Sequence, residues 1–414
     1  MRFADKNITL FILVVSLIVI RIESSRGQTS KFISEFEYNE INTDYLNPDN
    51  IQQLPYVNIN NLFLYNNSLK LLKGSLNWNL RFGLNNQFIH TETNERDQVK
   101  HKPDFTPLEL FYQKSVGNFT FAIGRKRIKW GVSYVASPTD IVSSPPPPED
   151  PSDRLFQIKG SDLLEITYVG KRAQYDIYLM PATNVNTVFF SDHSAAFRYY
   201  RNIQLFDVSL VGRIDLQGAF QTGLNATASL GSKLEAHMDG IVISKSDVRY
   251  PPLFERKNTP AYRLLAGINY SPRDNYNIVV EYFHINEGYS SDEWDQFQEI
   301  INFYATQRLI NDYSGATTST MRTMYGSIIF PMRKNFIFLR LFRSNFFTSK
   351  FDLEWITFGG LDDLGSLNRI GTYYKFRSRF DLYIHYQFLA NSSNSNFNMF
   401  GFAQSARIGI KVSF

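Results

Sequence analysis

The chain has 414 residues, with 43 Lys and Arg against 39 Asp and Glu and no cysteine. A formal charge of only +4 argues against a nucleic-acid binder, which needs a concentrated basic face. Without cysteine there is no disulfide, no thiolate metal site and no cysteine-borne lipid anchor.

The chain starts basic, at Arg2 and Lys6, and turns apolar over the 13 residues ITLFILVVSLIVI, Ile8 to Ile20. That run is shorter than the roughly 18 residues of a spanning helix and fits the core of a secretory signal peptide. Small residues at Ser25 and Gly27 place cleavage before Gln28, so residues 1–27 are read as a leader. An uncleaved anchor helix is the alternative. Residues 28–68 contain KFISEFEYNE and YVNINNLFLY and are read either as a segment preceding the main fold or as its first strands.

From residue 69 to 414, alternation with period two replaces helical spacing. In LNWNLRFGL, Leu76, Trp78, Leu80, Phe82 and Leu84 share one face, and Asn77, Asn79, Arg81 and Gly83 the other. In TASLGSKLEAHM, Leu230, Leu234 and Met238 oppose Lys233, Glu235 and His237, and RFDLYIHYQF repeats the pattern. Strands are expected near 69–88, 106–116, 119–130, 161–169, 172–181, 193–199, 203–211, 216–222, 227–241, 261–270, 275–286, 320–330, 335–345, 367–376, 379–388 and 404–414. The joins alternate in length. Those at 117–118, 170–171, 271–274, 331–334 and 377–378 are brief, and those at 89–105, 131–160, 242–260, 287–319, 346–366 and 389–403 are long, with 212–215 an exception that is brief where a long loop is due.

A soluble sandwich has no reason for that parity, whereas a transmembrane barrel has short turns at one rim and long loops at the other. The pattern predicts one all-β, transmembrane antiparallel barrel of about 16 strands, or 18 if residues 28–68 supply two more. Short turns would face the periplasm and long loops the exterior, with 28–68 otherwise a periplasmic segment. A soluble periplasmic β-sandwich is the rival fold.

Two loops carry special chemistry. One, 131–160, follows FAIGRKRIKWG, whose cluster Arg125, Lys126, Arg127 and Lys129 occupies both strand faces. If the loop folds inward, Arg125 and Arg127 form a basic constriction; otherwise the cluster is a rim contact for lipopolysaccharide phosphates. Prolines 145–148 suit a stiff loop wall. In the loop 287–319, SDEWDQFQEIINFYATQRLI reads as a helix capped by Ser291 or Asp292, with Trp294, Phe297, Ile300, Ile301 and Tyr304 on one face.

Inward-facing charges set selectivity in a channel. The candidates on polar strand faces are Arg81, Arg125, Arg127, Glu165, Asp176, Asp207 and Lys233. The remainder are Glu235, Glu281, Arg340, Arg379, Asp381, Arg407 and Lys411. Both signs occur, which fits either a weakly selective pore or a lumen filled by paired charges. The six histidines lack metal-ligand spacing, and no cofactor motif is present. His237 with Ser229 or Ser232 would be the only hydrolase pairing, and nothing local marks a nucleophile.

The chain ends on ARIGIKVSF, where Ile408, Ile410, Val412 and Phe414 alternate with Arg407, Gly409, Lys411 and Ser413. Gly409, Val412 and terminal Phe414 are similar to the C-terminal signal by which outer-membrane barrels are recognised for insertion. FAIGRKRIKWG with Ser137-Pro138-Thr139-Asp140, and EYFHINEGYSSDEWDQF over 281–297, resemble porin-like barrels related to the alginate-export family. These likenesses touch about a quarter of the chain. They imply a Gram-negative outer-membrane channel without catalysis. Its cargo would be a small hydrophilic or anionic solute or an exported polysaccharide, and its contacts lipid, lipopolysaccharide and the barrel-assembly machinery. A non-conducting adhesion or structural barrel is the competing reading.

Overall fold

The computed structural model describes residues 29–43, 47, 50–90, 97–135, 137–143, 158–184, 186, 192–246, 248–257, 259–311, 317, 320–321, 333–377, 379–391 and 394–414. The leader reading and the four-proline run lie outside these residues.

Eighteen strands pair antiparallel in one sheet that closes on itself. The first group is β1 (Thr29–Ile41), β2 (Val57–Leu71), β3 (Gly74–Ile89), β4 (Gln98–Val116), β5 (Phe119–Lys126) and β6 (Ser161–Val169). Next come β7 (Ala173–Met180), β8 (Ser194–Ile203), β9 (Phe206–Asp215), β10 (Phe220–Ser229) and β11 (Leu234–Ile243). A two-stranded loop hairpin, β12 (Arg249–Tyr250) with β13 (Glu255–Arg256), stands apart from the barrel. The wall then continues through β14 (Ala261–Tyr270) and β15 (Tyr276–Ile285), followed by the helix α1 (Ser291–Asn311). It finishes with β16 (Asn335–Arg343), β17 (Phe351–Gly360), β18 (Ser366–Arg377), β19 (Phe380–Ala390) and β20 (Phe402–Ser413).

The seam closes where β20 pairs with β1, in register from Lys31↔Ser413 to Glu40↔Gln404, and the amide of Phe414 donates to Ser30 O at 2.9 Å. Closure matters because hydrocarbon cannot satisfy a free strand edge, at several kcal/mol per orphaned group. The wall is inside out relative to a soluble protein. Ile123 and Met238 are 58% and 55% exposed, whereas their chain neighbours on the inward register, Ala122 and Asp239, are 3% and 1% exposed. Outward positions on β20 are Ile408 and Ile410, and inward ones are Arg407, Gly409 and Lys411. No described helix is long and apolar enough to cross a membrane.

Most joins alternate in length, with brief turns at 72–73, 117–118, 170–172, 204–205 and 230–233, but 216–219 is brief on the long-loop rim and the brief join expected at 331–334 falls within the long connection from β15 to β16. Several strand assignments change. β1 and β2 belong to the barrel, so its count is 18 rather than 16. β17 occupies part of the segment read as the loop 346–366. In the expected strand 320–330, residues 320 and 321 are helical and the rest lie outside the described residues. The stretch 227–241 is broken by the turn 230–233, and β10 spans the join expected between 222 and 227. β17 escaped notice because its inward face mixes Asp352 and Glu354 with Ile356 and Phe358, which erases apolar alternation.

At the long-loop end, α1 packs Trp294, Phe297, Ile301 and Ala305 against Ile51 of the β1–β2 loop and Tyr250 of the hairpin. Its cap is Ser290, not Ser291 or Asp292. The Glu293 amide donates to Ser290 Oγ at 3.3 Å, and the Ser290 amide donates to Glu293 Oε2 at 2.9 Å, a reciprocal capping box. Residues 396–400 form a short 3-10 helix that buries Phe397 against Phe336 and Phe358.

Candidate channel interior and constriction loop

The loop after β5 turns into the barrel. Asp140 begins the fold-back by accepting from the amides of Trp130 (2.6 Å) and Gly131 (2.8 Å). Gly131 is needed for the close approach, because a Cβ there would lie 1.4 Å from Ser137 Oγ. Two carboxylates on distant strands then hold the loop. Glu281 of β15 accepts from the amides of Tyr134 (2.7 Å) and Val135 (3.3 Å). Asp239 of β11 accepts from the Thr139 amide (3.1 Å), from Thr139 Oγ1 (2.9 Å) and from Ser137 Oγ. Asn225 of β10 donates to Trp130 O (3.2 Å) and Thr139 Oγ1 (2.8 Å). Charge-assisted bonds of this kind are roughly twice as strong as neutral ones.

His237 lies 2.9 Å from Glu281, with Nε2 facing the carboxylate, and Gly267 opposite leaves room for the pair. The register puts Thr227 across from His237 and Glu235 across from Ser229, so the hydrolase pairing is not assembled.

The wall charges are mostly paired. Arg81 meets Asp104 at 2.7 Å, Arg127 meets Glu109 at 2.6 Å, and Arg407 meets Glu37 at 2.8 Å. Glu165 takes Lys126 as its cation, and Asp176 takes Arg198 at 2.8 Å. Glu354 is shared by Arg340 (2.7 Å) and Arg369 (2.9 Å) and also accepts from Tyr373 OH (3.0 Å). Asp207 accepts from Tyr200 OH (2.5 Å) and Asn202 (2.8 Å). Asp381 lies opposite Lys411 and Lys375, and Glu235 opposite Asn269.

Three of the candidates sit elsewhere than expected. Lys233 and Arg379 are exposed in short turns, because the strands end before them. Arg125 falls on the register of outward-facing Phe121 and Ile123, beside Gly124 at φ 125°, and pairs with Asp162 at 2.8 Å. No basic constriction forms from Arg125 and Arg127 together, since each is spent on its own carboxylate. The sequence reading assigned no inward role to Asp239, Asn225 or Glu354, and no bonding role to Lys126 of the basic cluster or to Ser137 and Thr139 of the loop motif. Asp239 had a legible signal: it shares a strand face with His237, two residues earlier. The loop donors had none, because hydrogen bonds over about a hundred residues of separation leave no local pattern.

Gly409 of the C-terminal motif also has a local reason. A Cβ would come 2.2 Å from Tyr383 Cζ, and that tyrosine lies across the glycine to donate from its hydroxyl to Glu35 at 2.5 Å.

A closed wall with an apolar outer face, an ion-paired interior and long loops at one rim defines an outer-membrane β-barrel. The chain is similar in fold to three Pseudomonas aeruginosa crystal structures. OccK7 (OpdD) aligns with TM-score 0.55 at 10% identity over 94% of this chain and 98% of that one. OccK5 (OpdH) gives 0.54 at 9% over 94% and 97%, and OccK3 (OpdO) gives 0.53 at 10% over 94% and 95%. At such identity the likeness speaks for the barrel architecture. No family model and no curated protein matches the sequence.

Proposed function

We propose that the protein is a porin-like channel for passive passage of small hydrophilic or anionic solutes, its bore set by the loop over residues 127–143. The observation that carries this reading is the tethering of that loop across the interior to Asp239 and Glu281. An element held on two strand-borne carboxylates narrows a water-filled cylinder at a fixed depth, which is how pores combine permeation with selection. A loop strung across the lumen favours small solutes over a polymer, so a kinship with alginate-export barrels would concern the motif more than the cargo. No step in this reading is catalytic.

Single-channel recording in planar bilayers tests it. The parent should show discrete steps, and D239N/E281Q, which loosens the loop, should raise conductance about twofold or more with noisier openings. Absence of any conductance in both proteins would sink the proposal and favour the second reading, a closed barrel with a binding surface. That reading draws on a specific feature, the packing of α1 against the β1–β2 loop and the β12–β13 hairpin at the mouth. Liposome swelling with sugars of graded size separates the two, since a sealed barrel excludes them all.

A further inference from the structure

Most described cations on the inward face have a carboxylate partner; Lys171 and Arg172 in the rim turn and Arg201 at the end of β8 have none among the described residues. All three are exposed and line one cleft of about 530 Å³ between the turns 170–172 and 204–205 at the short-turn rim. The acids beside it on these strands face inward and are occupied, Asp207 by Tyr200 and Asn202 and Asp176 by Gln174 and Arg198. Three exposed like charges repel one another modestly in water and together favour an anion at the site.

The wall beneath the cleft indicates which anion. Phe119, Tyr168, Tyr175 and Tyr199 form a file around the outside of β5 to β8, with successive ring centroids 5.0, 6.2 and 5.1 Å apart. Aromatic belts sit at the level of lipid headgroups. Ile203 and Phe206, both about half exposed, continue the apolar surface beside Arg201. We infer that this cleft binds the phosphate of an anionic glycerophospholipid of the periplasmic leaflet, its acyl chains lying over the tyrosine file. A cationic cleft at the edge of an apolar belt fits an amphiphile, whereas an acidic soluble protein would find only half of it polar. The inference uses the barrel's orientation in the membrane and not its conductance.

Native mass spectrometry of the full-length folded protein in nonionic detergent tests it, with phosphatidylglycerol and phosphatidylcholine supplied at equal mole fraction. Phosphatidylglycerol should be retained about tenfold over phosphatidylcholine, and K171Q/R172Q/R201Q should bring the two to parity. Each single replacement should lower the preference about twofold, an equal share of the tenfold preference that the three cations make together. Heat-modifiable migration confirms folding; if the triple variant fails that check, the single variants and a salt titration of the parent to roughly 0.5 M carry the readout. Equal retention of both lipids by the parent overturns the inference, as does an unchanged preference in the variants. Displacement of the lipid by millimolar inorganic phosphate overturns it too and assigns the cleft to a free anion.

Discussion

At the residue scale, the interior depends on positions where a side chain is missing as much as on those where one is present. Gly267 faces the His237–Glu281 pair, and an added Cβ would sit 2.5 Å from His237 Nε2 and 2.8 Å from Glu281 Cγ. Gly267→Ala should destabilise the barrel by about 1–3 kcal/mol through overpacking, read as a lower urea midpoint at constant slope. Its effect should extend to the loop, because Glu281 also holds Tyr134 and Val135. Glu354→Gln tests the opposite case, a buried charge removed from two arginines. It leaves Arg340 and Arg369 facing a neutral amide, and a loss of about 3–5 kcal/mol is expected by the same measurement. Charges such as Glu354 were invisible in sequence because β17 carried no apolar alternation to place it in a strand.

At the element scale, α1 is the part of the mouth with a built-in response to pH. Burial pushes the Glu293 carboxyl upward, but the Lys257 ammonium and the Ser290 amide and hydroxyl outweigh it, leaving the group below its ordinary value of 4.5. A depressed folded value means the stabilisation is present above the ordinary carboxylate range and is lost as pH falls through the lower, folded value. Hydrogen-exchange protection in the first turn of α1, relative to the intrinsic exchange rate, should therefore fall on acidification below the ordinary carboxylate range, and E293Q should abolish the change. The helix itself was legible from Trp294, Phe297 and Ile301 at helical spacing, and its cap, expected at Ser291 or Asp292, lies one or two residues earlier at Ser290. The strands β1 and β2 were harder to assign. In β2 the run Leu62, Phe63, Leu64 and Tyr65 puts apolar side chains on both faces, which blurs the period.

At the scale of the whole molecule, the architecture was readable from join lengths, because threading a hairpin chain through a bilayer forces unequal rims. The interior was not, because what faces the lumen is chosen by partners on other strands. A contribution of Phe414 to insertion and its contribution to the fold can be measured apart. Phe414→Ser keeps the backbone bond from residue 414 to Ser30, so the folded barrel should retain its heat-modifiable migration while insertion by cells slows severalfold. Deleting residues 412–414 removes the pairs Val412↔Phe32 and Val412↔Phe380 and exposes a sheet edge, and no heat-modifiable species is expected.

The loop from β5 reaches β11 and β15 on other parts of the circumference. A hollow hoop deforms easily into an oval, but one fitted with an internal crossbar does not. Lateral bilayer pressure on one arc of this cylinder would be transmitted through Asp239 and Glu281 to another, so slackening the crossbar should let the cross-section breathe as well as widening the passage.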